Sequence, residues 1–467
     1  MKRTFKVVLC VVAVLIAVPL AGIGFVVAYN QFDEPLTPQA QALVQPQPVG
    51  GDAASNAYFV LLGLRAPKGQ DAHAAGMQID KLHFDYFSTL PGARASAAPD
   101  DKALRASASV SAAWSAKLRC NWFEKDCLAH YLALRAELDQ FREEHALLIE
   151  RHQRVAQLSH YQDRPLLSLH EPLPSLKDYL DLDAFSMAQI VVMCEEGRIA
   201  PALEQLAASV ATARKVLANA QQLVTKMVFS KMLRDNLALL NALLAKYSAV
   251  AAAPAIPPPT LLAPLSGAEK SIQAALDSEA RVLARTVMYL DASDLGSLSD
   301  QTFEKLLARR SDFAFKRHAT LNLIASGQPF YPAASRSPQP AGQATAPLKA
   351  WPSGNFWDDY VDNPTGKVLL KIAAPDYREY VDRLSDTDGY QRLTALHLLI
   401  RQGTVADAEV PALIEAQAGQ YGDPYTGKPM QWDAASRTLS FLGHGKAPTS
   451  KAVKDYRFSV KLGTPKG

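Results

Sequence analysis

The sequence predicts a mainly α-helical protein with an N-terminal transmembrane helix, a body of helical hairpins and a small C-terminal antiparallel β element. Three observations predict it. An uncharged apolar run begins at Val7 and ends at Ala28, behind a basic start of Lys2, Arg3 and Lys6. Apolar residues then recur at intervals of three and four through much of the chain, the spacing of an amphipathic helix. Near the end the pattern changes to alternation, around Trp432, over 438–442 and over 457–462, which is the period of a half-buried strand.

Composition narrows the class. Of 467 residues, 48% are hydrophobic and 20% charged, so wholesale disorder is excluded. Lys plus Arg number 49 against 46 Asp plus Glu, a net charge of +3. That balance excludes a dedicated nucleic-acid binder, which carries a strong basic excess. Four cysteines cannot build a disulfide-dense scaffold or a four-cysteine zinc site at useful spacing.

The elements follow in order. Residues 1–28 form a cytoplasmic stub and a spanning helix. At about 1.5 Å per residue the run reaches roughly 33 Å, enough for a hydrocarbon core of about 30 Å. Basic residues precede it and Asp33 and Glu34 follow, which places the N-terminus in the cytoplasm and the body outside. A cleaved signal peptide is the rival reading, with Ala21-Gly22-Ile23-Gly24 as the cleavable stretch. Leu9 before Cys10 excludes lipidation, and Pro19 kinks a spanning helix without forbidding it. Ala13, Ala17 and Ala21 lie four apart, a small-residue face through which two such helices can pair as a homodimer.

Residues 29–50, rich in Pro and Gln, predict an extended tether that lifts the body off the membrane. A first helical domain covers 51–250, with an apolar helix over 57–64 and a surface loop over 91–113. Cys120 and Cys127 enclose six residues; in one helix their Cα atoms would stand roughly 10 Å apart, so a disulfide between them requires a turn. Asp126 suits the cap of a helix starting at Cys127, and that helix runs to Leu158. Leu180 to Tyr247 reads as three helices, with Gly197 turning the first into the second. Cys194 falls among Ile190, Val191 and Met193 and belongs to the core.

A Pro-rich linker over 251–265 cannot be helix interior. A second helical region covers 266–415, interrupted by a long loop over 327–365 that holds Phe330, Tyr331, Trp351, Phe356 and Trp357. Such loops are often functional. Residues 416–467 form the β-hairpin module, with a third strand at 457–462.

The module opens with Asp423-Pro424-Tyr425-Thr426-Gly427-Lys428-Pro429, followed by Gln431-Trp432 and then 439–443. Pro424 sets a turn, Gly427 allows a positive backbone angle, and Pro429 begins an edge strand. This segment resembles a C-terminal module of uncharacterised, membrane-anchored exported bacterial proteins, of the pattern Asp-Pro-(Tyr/Phe)-(Ser/Thr)-Gly-Lys-Pro. The resemblance covers about a tenth of the chain. It implies an exported location and a local shape, and no activity.

No segment carries a catalytic signature. Gly422 to Lys428 has phosphate-loop spacing, but Pro429 offers no hydroxyl for magnesium and no helix follows. His145, His152 and His160 lack metal spacing and read as solvated or capping residues; no metal or cofactor is expected. Glu143, Glu144 and His145 point in different directions on a solvated helix face. Asp181/Asp183 and Asp358-Asp359 read as surface charge, and the lysines from Lys446 onward as guards of a strand edge.

The functional expectation is a single-pass inner-membrane protein with a periplasmic body. It binds or scaffolds a protein partner of the cell envelope. An envelope hydrolase with a dispersed active site and a structural spacer stand as alternatives. A cleft gathering perturbed titratable groups near 327–365 would favour the hydrolase.

Overall fold

The computed structural model describes residues 2–89, 99–253, 261–290, 315–327, 355–357, 361–373, 377–445 and 456–463. It is mainly helical, with an apolar N-terminal helix and a three-stranded antiparallel sheet at the C-terminal end. Helix α1 spans Lys2–Tyr29, and its Cys10–Tyr29 segment, of mean hydropathy 2.8, is long and apolar enough to cross a membrane.

The segment expected as a free tether is instead part of the body. Thr37 caps helix α2 (Pro38–Val44), whose Ala40 and Val44 are buried. The cause is a set of hydrogen bonds supplied from far along the chain. Arg281 donates to Ala42 O at 2.9 Å. Arg285, 2% exposed, donates to the carbonyls of Val44, Leu167 and Phe87 at 2.7–2.9 Å. Composition alone read this stretch as extended, because those partners lie more than a hundred residues away.

Helices α3 (Ala57–Leu62) and α4 (Ala72–Thr89) cross closely. A Cβ on Gly76 would overlap the carbonyl of Phe59, and one on Gly63 would overlap that of Ala72. Ser111 caps α5 (Ala112–Leu118), and Val110 is buried, so the expected surface loop over 91–113 ends in the core. Residues 90–98 of that loop lie outside the described residues. Asp126 accepts from Ala129 N and caps α6 (Cys127–Ala133). Then come α7 (Leu138–Glu144) and α8 (Ala146–Gln157).

The three expected helices are α9 (Leu176–Glu195), α10 (Ile199–Asn219) and α11 (Leu223–Lys246). Gly197 turns the chain between the first two at a φ of 78°, where a side chain would be strained. Short helices α12 (Ser248–Ala252) and α13 (Gly267–Lys270) flank the Pro-rich segment, of which 254–260 lie outside the described residues. Helices α14 (Gln273–Tyr289), α15 (Arg317–Ala325), α16 (Pro364–Ala373), α17 (Arg378–Gln402) and α18 (Val410–Tyr421) complete the helical part. One hydrophobic cluster runs from Ala40 to Leu462 and joins the helices on both sides of the Pro-rich segment.

Strands β1 (Gln431–Asp433), β2 (Thr438–Leu442) and β3 (Arg457–Lys461) pair in that order, with Phe441 opposite Phe458. The sheet lies on α17, where Gly389 leaves room for the Phe441 ring. Cys120 and Cys127 are disulfide-bonded, with Cα atoms 5.8 Å apart. The enclosed loop presents Phe123 to Tyr390 and Phe458, at ring-centroid distances of 5.4 and 5.9 Å. The bond therefore holds an aromatic plug between the helical body and the sheet. Replacing both cysteines by serine is expected to cost about 2–3 kcal/mol from loop entropy. Urea unfolding of wild type and variant, with and without reductant, checks this: reductant should weaken only the wild type.

Candidate functional site

The C-terminal turn is built by its own first residue. The Asp423 carboxylate accepts from Tyr425 N at 2.8 Å and Thr426 N at 3.1 Å. Gly427 N donates to Asp423 O, and Asp423 N to Lys428 O, both at 2.8 Å. Gly427 takes a φ of 68°. Pro424 lies inside the turn, the Lys428 side chain is exposed, and Pro429 leads into Met430 and β1. A carboxylate occupies the centre of this loop and its N–H groups are spent, so it offers no cradle for phosphate. The residue that ties the turn to the body is Tyr425. Its hydroxyl donates to Asp386 at 2.6 Å, and its ring stacks on His444 at 3.9 Å. Asp386 also accepts from the backbone N–H groups of His444 and Gly445. Nothing local in the sequence marks Asp386, which precedes Tyr425 by a whole helix and a turn.

The surface reading of Asp181 and Asp183 is overturned: they are 0% and 2% exposed. Both lie on α9, two residues apart and so on opposite sides of a helix that is buried almost all round; Asp178, three residues before Asp181, lies on the Asp181 side. Asp178 accepts from Val110 N at 3.0 Å and from Ser109. Asp181 accepts from Ser115 Oγ, Arg119 Nε and Lys177 Nζ at 2.6–2.9 Å. Among the described residues Asp183 has only the Asn236 amide, at 3.2 Å. With so little compensation, burial pushes the Asp183 carboxyl up to about 7. Asp358 and Asp359 lie outside the described residues.

Asp183 lines a cleft of about 390 Å³ between α8, α9 and α10, floored by Met232 of α11. His152 lines it too, so this ring is neither solvated nor a cap. It packs on Tyr179 with centroids 4.5 Å apart, its Nε2 makes no hydrogen bond, and burial pulls it down to about 4. His145, at the start of α8, stacks on Phe141 at 4.3 Å. Between α9 and α10, Gln205 donates to Ser186 Oγ at 2.7 Å. Gln189 and Gln205 are shared with a wider basin of about 680 Å³. Arg135, Arg142 and Arg198 border that basin, answered by Glu196 and Asp139.

The inner cleft is thus lined by the His152 imidazole, the Asp183 and Glu204 carboxyls, the hydroxyls of Tyr179, Ser186, Ser209 and Thr212, and the amides of Gln153, Gln157, Gln189 and Gln205. Among the described residues no hydrogen bond joins His152 to Asp183, and acid–base work needs that geometry first. Most of the loop at 327–365, where a cleft of perturbed groups would favour the hydrolase alternative, lies outside the described residues. Among the described residues no three His, Cys, Asp or Glu gather as metal ligands.

Asp183 gives a pH prediction. Its folded pKa stands above the unfolded value of 3.8, so the folded state binds more protons between about 4 and 7, and stability falls as pH rises through that window. Asp183→Asn removes this dependence. The variant is expected to match wild type near pH 4 and to exceed it by about 1–3 kcal/mol at pH 8, measured by urea unfolding at both values.

The second notable place is where α1 leaves its apolar run. Asn30 is 3% exposed. Its Nδ2 donates to Val361 O at 2.7 Å and its Oδ1 accepts from Asn363 N at 2.7 Å. Asn363 in turn donates to Thr320 Oγ1 at 2.9 Å and accepts from Lys316 N. Asp33 accepts from the first N–H groups of α15, His318 and Ala319, where a helix dipole favours a carboxylate. Asn322 bonds to Glu34, Pro35 and Thr37. Phe25 and Tyr29 pack on Trp357 at 5.8 and 5.0 Å. Farther along α1, Ala13, Ala17 and Ala21 are exposed. Comparison of the chain with family models, with curated proteins and with solved structures finds no match in any of the three.

Proposed function

We propose that the chain is a single-pass inner-membrane protein that keeps its N-terminal helix. Its N-terminus lies in the cytoplasm, and its helical body serves the periplasmic side of the envelope as a binding or scaffolding component. The observation that carries this reading is the buried junction at Asn30. Residues 25–37 are bonded into α15 and the 361–363 turn, so cleavage within or after them would remove part of the folded body; cleavage at Ala21–Gly24 would spare that junction, and against it stands the apolar run Val7–Ala28, longer than the roughly 7–15 residues of a signal peptide. A dispensable leader needs no such integration. The basic flank before α1 supports the orientation. The disulfide supports an oxidising compartment. The exported-protein pattern around Asp423 and Lys428 supports the same location. The cleft at Gln189 and Gln205 is the surface assigned to an envelope protein partner, and pairing of two anchors through Ala13, Ala17 and Ala21 belongs to the same reading.

Alkaline washing of membranes combined with reporter fusions tests it. The protein should resist the wash, and a C-terminal fusion should be active only with a periplasmic reporter. Release by alkali, or activity of a cytoplasmic reporter, contradicts it. A photocrosslinker at Gln205 should capture one reproducible envelope protein; repeated failure contradicts the binding role. Asn30→Ala leaves Asn363 N and Val361 O buried without partners, at about 1–3 kcal/mol each. It is expected to open residues 29–37 to limited proteolysis without releasing the protein from the membrane.

A further inference from the structure

Tyr29, the last residue of α1, has the Lys316 ammonium over its ring at 4.1 Å and Trp357 against its edge at 5.0 Å. Phe25, one turn earlier, meets the same indole at 5.8 Å. These rings are not closed into the core: Trp357 is 42% exposed, Phe25 52%, Phe356 72% and Phe32 80%. Elsewhere in the described body, large apolar side chains this exposed are few and scattered. Here Phe25, Tyr29 and Trp357, from two distant parts of the chain, meet at the end of one helix, and Phe32 and Phe356 stand exposed a few residues from them in sequence.

Their place decides what covers them. If α1 spans the hydrocarbon from Val7, about 30 Å of rise brings the chain to the outer boundary near residue 27. Tyr29, Phe32 and the residues packed on Tyr29 then stand at the depth of the headgroups, where Trp and Tyr favourably keep an apolar body in lipid and a polar edge in water. Lys316, whose ammonium also pairs with Asp362 at 2.9 Å, supplies a cation at that level. The Trp357 carbonyl accepts from Asp362 N at 3.0 Å, its ring packs on Phe25 and Tyr29, and the buried bonds of Asn30 to Val361 and Asn363 tie the same stretch to the helix end, so the lipid-facing surface belongs to the body as well as to the anchor.

We infer that Trp357, with Phe32 and Phe356, forms an interfacial seat that rests the body directly on the outer leaflet of the lipid bilayer. The inference rests on the retained anchor proposed above and goes beyond it. An anchor alone would allow the body to sway free in the water; the seat fixes its height and its orientation, and turns the α1 exit into a lipid contact.

The test uses the full chain reconstituted in vesicles of phosphatidylcholine and phosphatidylglycerol, with acyl chains brominated either near the glycerol end or near the methyl end. Tryptophan emission of wild type and Trp357→Phe is compared. The wild type should be quenched most by bromines near the glycerol end, and Trp357→Phe should lose most of that quenching while keeping its circular dichroism and its resistance to alkaline washing. Equal absolute quenching in the two proteins, with both still resistant to alkali, overturns the seat and leaves the anchor standing. Release by alkali overturns both. Phe32→Ser combined with Phe356→Ser provides a second reading that spares the tryptophan: it should reduce the quenching of Trp357, and unchanged quenching counts against the seat.

Discussion

Replacing Arg164 by leucine is expected to destabilise the body by about 3–5 kcal/mol, the cost of leaving buried carboxylates without their cation. Arg164 is 1% exposed. Its Nε donates to Asp80 at 2.8 Å and its Nη2 to Glu171 at 2.5 Å, with the Phe84 ring 5.6 Å from the guanidinium. Glu171 also takes Leu167 N at 2.8 Å, and Tyr58 donates to Asp80. One guanidinium thus joins α4, the α3 start and the Pro-rich stretch after Tyr161. Even with Arg164 present, burial keeps the Asp80 carboxyl above the usual range. Without it the Asp80 carboxyl loses the guanidinium that opposes its burial. Its folded pKa then lies further above the unfolded one, so the folded state binds the extra proton and the deficit grows as pH rises. Urea unfolding at pH 5 and pH 8 should show a smaller loss at pH 5. Adding Glu171→Gln and Asp80→Asn should recover more than about 1 kcal/mol, because the penalty comes from uncompensated charge.

Gly76→Ala is expected to cost about 3 kcal/mol or more, and Gly76→Leu to prevent folding, because overpacking here strikes backbone and no side chain can swing aside. The methyl would overlap the carbonyl of Phe59 across the α3–α4 crossing. Gly63→Ala should behave alike, its methyl overlapping Ala72 O. Gly419, in α18, has open space around its Cβ position, and Gly419→Ala should stabilise by about 0.5–1 kcal/mol as an ordinary gain in helix propensity. Thermal and urea unfolding of the three alanine variants should therefore give opposite signs for chemically identical changes.

These two cases show what the sequence made legible and what it hid. Helices α9 to α11 were readable because their apolar spacing is local and Gly197 marks the turn. The strands themselves were readable because alternation and the Asp423–Pro429 turn are local as well. Arg164, Asp181 and Asp183 were not. A charged residue is ordinarily a surface residue, and only partners far away in sequence reverse that. Asp181 is buried because Arg119 and Ser115, more than sixty residues earlier, complete it. The tether was misread for the same reason: Pro and Gln describe the chain at 29–50, whereas Arg281 and Arg285 decide its place. The cleft escaped because His152 and Asp183 meet only when α8 packs on α9. Gly76 was invisible because a close backbone crossing leaves no periodicity behind.

The retained anchor is tested most directly by the intact mass of the protein extracted from alkali-washed membranes of the native host. The account predicts a membrane-retained species in which residues 2–29 are still joined to the body. A water-soluble species beginning anywhere between Gly22 and Tyr29, with no full-length form in the membrane, would contradict it.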